Sequence, residues 1–258
     1  MERQLAFGLY HNGNNFCIIK SVLSEDTKYL VEILPKNKKI FMFFNISWDY
    51  EDKSKLKEWA ECLKQDNIVY YLLSNDQRQY DEFEALGFPQ ILVNQNCFID
   101  YNLFKDTKEQ RIYNLVVNAR LSSFKRHELL DKINDHMTII SYSHSGVFKD
   151  YRDKFLAEKK ETQIIAEDKT EHQVLAILSQ SKIGAILSER EGACYASTEY
   201  LFSGLPVLST QSTGGRDIWY NEDNSIICEP TKDGVYEAND RLQPLVLPFH
   251  FWYYMVWK

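Results

Sequence analysis

Apolar and polar positions along this chain switch repeatedly between the alternation of a strand and the three-to-four spacing of a helix. Strand-like runs are predicted at residues 5–10, 16–23, 29–34 and 40–44, with the turn-forming cluster His11-Asn12-Gly13-Asn14-Asn15 between the first two. Over 52–65, Leu56, Trp59, Ala60 and Leu63 recur at i, i+3, i+4 and i+7, the apolar face of a packing helix. A buried strand follows at 68–73, a helix at 77–86 stopped by Gly87, and a strand at 90–94. Beyond Arg111 come a continuous apolar strand at 113–119, a helix over 124–133, and strands at 138–142, 163–166, 184–187 and 225–228. Helices are predicted between them at 148–159 and 170–180, and a last one at 233–242. Alternating strands and helices argue for an α/β fold with parallel sheets covered on both faces.

Bulk composition narrows the class without naming the chemistry. A chain of 258 residues fits one large domain or two small ones. With 44% hydrophobic and 26% charged residues it reads as a soluble globular protein, neither disordered nor a membrane bundle. The net charge of −7 argues against a nucleic-acid backbone as partner, which would call for a basic face. Its five cysteines, Cys17, Cys62, Cys97, Cys194 and Cys228, are scattered and contain no C-x-x-C pair, so neither a disulfide framework nor a zinc site is expected. A reducing cytoplasm fits this usage. The amino terminus holds no secretory apolar run, and no segment approaches the ~20 apolar residues that span a bilayer. The tail at 245–257 contains Pro248 and His250 and is crowded with aromatics. It is expected to pack against the protein, the alternative being peripheral contact with the inner face of a membrane.

Candidate chemistry concentrates in residues 188–217, SEREGACYASTEYLFSGLPVLSTQSTGGRD. Residues 194–203 have helical composition, Gly204 stands where a left-handed C-cap residue belongs, and Pro206 opens a short apolar strand. Glu191 therefore precedes the helix and Glu199 lies inside it. Gly192, Ala193 and Cys194 would let a ligand approach the unpaired N–H groups and partial positive charge of the helix start, which suit an anion. Arg120 ends the strand at 113–119 and Lys125 follows five residues later, so two cations sit at a strand's carboxyl end, where doubly wound sheets bind ligands. His127 reads as a surface or packing residue. Gly214 and Gly215 suggest a loop that needs close approach.

The spacing Glu191, seven residues, Glu199, followed by Gly-Leu-Pro-Val and then Gly-Gly, resembles the signature of retaining GT-B glycosyltransferases of the family 4 type, the glycosyl transferases group 1. Residues 114–130, NLVVNARLSSFKRHELL, resemble the strand, Arg, Leu, three residues, Lys segment that opens the second domain of that family. The resemblance covers 112–230; before that only 91–104, ILVNQNCFIDYNLF, is similar, with Cys97-Phe98 where the family has glycine. It implies an α/β fold of GT-B type: two doubly wound, parallel-sheet, Rossmann-like domains facing a cleft, the first one compact. The expected division is a shortened acceptor-side domain at 1–103, a donor-binding domain at 104–243 and the aromatic tail at 244–258, with the hinge between Asn102 and Arg111.

By the same resemblance Arg120 and Lys125 neutralise the departing diphosphate of a nucleotide-sugar donor, Glu199 accepts the ribose hydroxyls, and Glu191 sits by the transferred sugar. Gly13 would lie near the donor phosphates and His11 would reach the sugar, while the plainer reading of that cluster is a hairpin turn with an exposed histidine. No Asp-x-Asp metal pair, P-loop or G-x-G-x-x-G pattern is read, so neither a metal nor a cofactor is expected. Three readings follow. One is a metal-independent retaining glycosyltransferase acting on a glycan or lipid-linked acceptor. Another is a nucleotide-sugar epimerase, for which His11 is the only acid/base candidate in the first domain. The third is a non-catalytic or incomplete nucleotide-sugar-binding module.

Overall fold

The computed structural model describes residues 7–46, 53–141 and 148–243, so the expected aromatic tail at 244–258 lies outside the described residues. The chain divides into two compact units, Met1–Cys97 and Phe98–Lys258. Phe104 is buried in a core of the second unit with Ile99 and Leu103 packed against it, so 98–103, assigned to the first domain by the sequence, belong with the second unit.

In the first unit β1 (Phe7–Asn12) and β2 (Phe16–Val22) form an antiparallel hairpin, closed by the bond from the Gly13 N–H to the Phe16 carbonyl at 3.1 Å. Next come α1 (Thr27–Ile33), β3 (Lys39–Asn45), α2 (Lys53–Ala60), β4 (Ile68–Ser74), α3 (Gln77–Ala85) and β5 (Gln90–Leu92). The strand expected at 29–34 is thus the helix α1. Thr27, Leu30 and Val31 are its buried positions and Leu34, also buried, follows as its C-cap, in a short apolar run whose period alone does not separate strand from helix. The parallel pairing of β2 with β3 requires a crossover, and α1 supplies it.

The sheet runs in chain order, β1-β2-β3-β4-β5. Right-handed crossovers that step one way along a sheet put every helix on one face. Leu30 and Val31, Leu56 and Ala60, and Phe83 accordingly share one core with Cys17, Ile19, Ile40, Met42, Phe44, Ile68 and Leu72. Of the alternate positions on the other face, Phe16, Ile18, Phe41, Phe43, Val69 and Tyr71 are exposed or half-buried, while Leu73 is buried. Among the described residues, α1, α2 and α3 cover one face of this sheet.

Among the described residues the second unit holds six parallel strands. They are β6 (Tyr113–Asn118), β7 (Met137–Ser141), β8 (Gln163–Glu167), β9 (Ser181–Ile186), β10 (Val207–Thr210) and β11 (Ser225–Cys228), in the order β11-β10-β9-β6-β7-β8. Its helices are α4 (Lys149–Glu158), α5 (Glu171–Ser179), α6 (Tyr195–Phe202) and α7 (Lys232–Leu242). Here the winding reverses, and both faces are covered: α4 and α7 pack on one core, α5 and α6 on another. The helix expected over 124–133 is instead two 3-10 turns, Ser123–Lys125 and His127–Leu130. Arg126 between them is left-handed, at φ 51°, which a continuous helix does not accommodate.

Tyr200 of α6 fixes that helix to the sheet. It is wholly buried, and its hydroxyl accepts the backbone N–H of Asn118 at the end of β6. Its ring needs the bare backbone of β9, because a Cβ at Gly184 would lie 2.2 Å from Tyr200 Cδ2. Gly184→Ala is therefore expected to lower stability by roughly 1–3 kcal/mol, the scale of core overpacking, seen as a lower urea midpoint at unchanged slope. A midpoint at or above the parent's would contradict this seating of Tyr200.

Candidate functional site

The strand order of the second unit reverses between β6 and β9. Connections leaving these two neighbours diverge, and the crevice beyond their carboxyl ends is where open α/β sheets take ligands. Most of the residues singled out in the sequence lie there. Arg120 and Lys125 follow β6, while Glu191, Gly192, Ala193 and Cys194 connect β9 to α6. Glu199, one turn into α6, meets β6 from the other side, accepting a hydrogen bond from Asn118 Nδ2 at 3.0 Å.

Lys125 and Glu191 form an ion pair, with side chains 16% and 6% exposed, and Ser188 Oγ donates to Glu191 Oε1 at 2.7 Å. The cations also rest on aromatic rings: Lys125 Nζ lies 5.2 Å from the centre of Phe124, and the guanidinium of exposed Arg120 lies 5.5 Å from that of Phe148. Those two rings meet edge-on at 5.9 Å. Cationic charge is thereby gathered on one side of the crevice and a carboxylate on the other. Burial pushes the Glu199 carboxyl up to about 7, and the hydrogen bond from Asn118 opposes that rise. Glu199 therefore changes charge near neutral pH.

The loop bearing Glu191 is held from beneath. Its N–H donates to the Thr213 carbonyl at 3.1 Å, and the Thr213 N–H donates to the Glu189 carbonyl at 3.0 Å. Gly214, at φ +111°, lets the two loops touch, since a Cβ there would lie 1.7 Å from the Glu191 carbonyl oxygen. This is the close approach expected of the glycine pair. Cys194 is the left-handed residue (φ 55°) that starts α6, and burial pushes its thiol up to about 11, so it is no nucleophile at neutral pH. His127 is a packing residue, 1% exposed beneath the rings of Tyr151 and Phe155, with burial lowering its pKa to about 4.

Four participants went unmarked in the sequence. Asn118 holds Glu199, and Ser188 holds Glu191. Arg126 Nη2 donates to Thr210 Oγ1 at 2.7 Å and its Nε to the Leu187 carbonyl. Wholly buried Arg216 donates to the Ser188 carbonyl at 2.7 Å and to the Thr210 carbonyl, and pairs with Asp217 at 2.6 Å. None carries a local spacing signal. Gly13 and His11 lie in the first unit's hairpin, where His11 is exposed and stacks on Phe16 with ring centres 4.5 Å apart. Among the described residues no group of three or more His, Cys, Asp or Glu is placed to hold a metal ion, and no helix is long and apolar enough to cross a membrane.

No protein-family model and no curated protein matches the sequence. In three dimensions the chain is similar to solved glycosyltransferases. TarM aligns at 15% identity over 92% of this chain and 48% of its own, with a TM-score of 0.62. HepE from Anabaena, solved in complex with UDP-glucose, aligns at 13% identity over 83% of this chain and 66% of its own, with a TM-score of 0.61. Sucrose-phosphate synthase from Thermosynechococcus elongatus aligns at 13% identity over 83% and 60%, with a TM-score of 0.64. The chain thus spans 48 to 66% of the length of these structures. Its fold is the α/β, Rossmann-like fold of the GT-B glycosyltransferases.

Proposed function

We propose that the chain is a retaining glycosyltransferase that moves a sugar, hexose-like in size, from a nucleotide donor to a glycan or lipid-linked acceptor without a metal ion. The observation that carries this reading is the meeting of Lys125 and Glu191 at the switch point, with Arg120 on the same connection after β6 and Glu199 bonded to Asn118 at the end of β6. A nucleotide sugar offers a diphosphate, a ribose with two hydroxyls, and an anomeric carbon that gains positive charge as its bond to the phosphate oxygen breaks. Lys125 and Arg120 would neutralise the departing diphosphate, as a compact ammonium and a planar fork. The first N–H groups of α6, uncovered by Gly192, would add backbone donors. Glu199 would accept the ribose hydroxyls, and Glu191, released by Lys125 as the diphosphate takes that cation, would face the transferred sugar. The second reading, a module that binds the donor without transfer, is favoured by the compact first unit, five-stranded among the described residues. Donor binding with neither hydrolysis nor transfer would select it.

The ion pair shapes the mutational expectation. Removing Lys125 alone leaves Glu191 buried without its counter-charge, an arrangement that typically costs about 3–5 kcal/mol. Lys125→Met should therefore lower both stability and turnover, with kcat down about 10²–10³-fold, the scale for losing one preorganised charge-stabilising donor. Adding Glu191→Gln should restore much of the stability and none of the turnover. Melting curves and single-turnover donor consumption test this; recovery of turnover in the double variant would show that Lys125 serves the fold alone.

Glu199 generates a pH signature. Its folded-state pKa of about 7 lies above the ordinary 4.5, so the folded chain keeps a proton that the unfolded chain releases. This stabilisation is fully present below pH 4.5 and is lost as pH rises to 7. Glu199→Gln should flatten the fall in stability across that window. Ribose hydroxyls donate to the ionised form, so nucleoside diphosphate affinity should rise as pH passes through 7, with proton release on binding at pH 6. Calorimetry in buffers of different ionisation enthalpy reads the proton directly. Glu199→Ala should weaken binding about ten- to a hundred-fold; unchanged affinity would leave Glu199 as a structural residue of α6.

Donor consumption is expected to survive EDTA, because the cations at the site can take the role of a divalent ion. Complete loss in EDTA, restored by magnesium or manganese, would contradict the metal-independent mechanism.

A further inference from the structure

Two arginines that the proposed chemistry does not use converge on one threonine. Arg126 reaches Thr210 Oγ1 at 2.7 Å, while Arg216 reaches the carbonyl of the same residue. Thr210 Oγ1 donates in turn to the Leu187 carbonyl at 3.0 Å, which Arg126 Nε also approaches. Arg216 Nη1 holds the Ser188 carbonyl at 2.7 Å, and Ser188 Oγ orients Glu191 at 2.7 Å. Arg126 immediately follows Lys125 in a left-handed conformation that its two bonds hold in place. Each arginine thus steers one end of the Lys125–Glu191 pair, and the two meet at the carboxyl end of β10.

The placement is costly unless geometry is its purpose. Arg216 is wholly buried, and its charge is offset by Asp217 at 2.6 Å. Burial opposes its charge, and the hydrogen bond with Asp217, together with the acidic groups Tyr220, Asp217 and Cys194 around it, more than restores it. What the guanidinium supplies is a rigid fork spanning two carbonyls where the strand ladder ends.

We propose that Arg216 and Arg126, joined through Thr210, are positioning residues that set the geometry of the Lys125–Glu191 pair and do not touch the donor. This rests on the donor-site reading of that pair. The test is a double-mutant cycle of Arg216→Lys with Glu191→Gln, followed in two ways. Lysine keeps the charge but loses the fork, so in the parent background kcat for donor hydrolysis should fall about 10–100-fold, the scale of a small misplacement, while KM changes less than about threefold. In the Glu191→Gln background the same substitution should cost under about threefold, because the residue it acts through is already altered.

Urea unfolding of the four proteins should show the same coupling, with the double variant departing from additivity by about fivefold or more in the unfolding constant. If Arg216→Lys fails to fold, Thr210→Val, which deletes the shared hydroxyl at constant shape, takes its place in the cycle. Additive effects in both readouts, or parental kcat in a folded Arg216→Lys, would overturn the proposal. The unfolding cycle needs no ligand. It decides the matter even for a chain that consumes no donor, in which case the donor-site reading is what fails.

Discussion

One ion pair, Lys125 with Glu191, joins segments 66 residues apart in the chain across the point where the second sheet reverses its strand order. Such a pair at 16% and 6% exposure is a poor source of net stability, since desolvating two charges consumes most of what their attraction returns. It demands support instead. Ser188 orients the carboxylate, the loop at Thr213–Gly214 braces the backbone behind it, and the arginines anchor both approaches. The site can then be seen as a place where stability is spent on two opposite charges held beside an open crevice.

The two units show how winding direction decides what a βα rhythm becomes. In the second, the step from β8 back to β9 reverses the winding, covers both faces and creates the crevice. In the first, every parallel step goes the same way, so one face is packed by α1, α2 and α3 while the other shows Phe16, Phe41, Phe43 and Tyr71 to its surroundings. The hydrophobic pattern of the strands is nearly the same in both cases. Strand order, which no local pattern records, makes the difference.

What could be read from the sequence was what is local. Glu191 and Glu199, Arg120 and Lys125, and the stop at Gly204 are residue types at short fixed spacings, and the resemblance they carry points to the fold that the structure has. What could not be read depends on distant partners. Asn118 matters because Glu199, 81 residues on, folds against it, and Arg126 because it reaches Leu187 and Thr210, 61 and 84 residues away. Arg126 also breaks the helix expected over 124–133, and an arginine gives no sign in sequence that it will be left-handed. Residues 29–34 differ from the strand expected there for another reason: six apolar-rich residues satisfy either period, and the need to cross from β2 to β3 decides for helix.

The most direct test of the central claim is amide hydrogen exchange with and without a nucleoside diphosphate. Ligand held by Lys125, the start of α6 and Glu199 should slow exchange in two separated peptides, one covering 118–126 and one covering 188–199, in the same titration and with the same midpoint. Protection confined to one of these segments, protection elsewhere in the second unit, or no protection at saturating nucleotide would contradict a donor site built across the β6–β9 switch point.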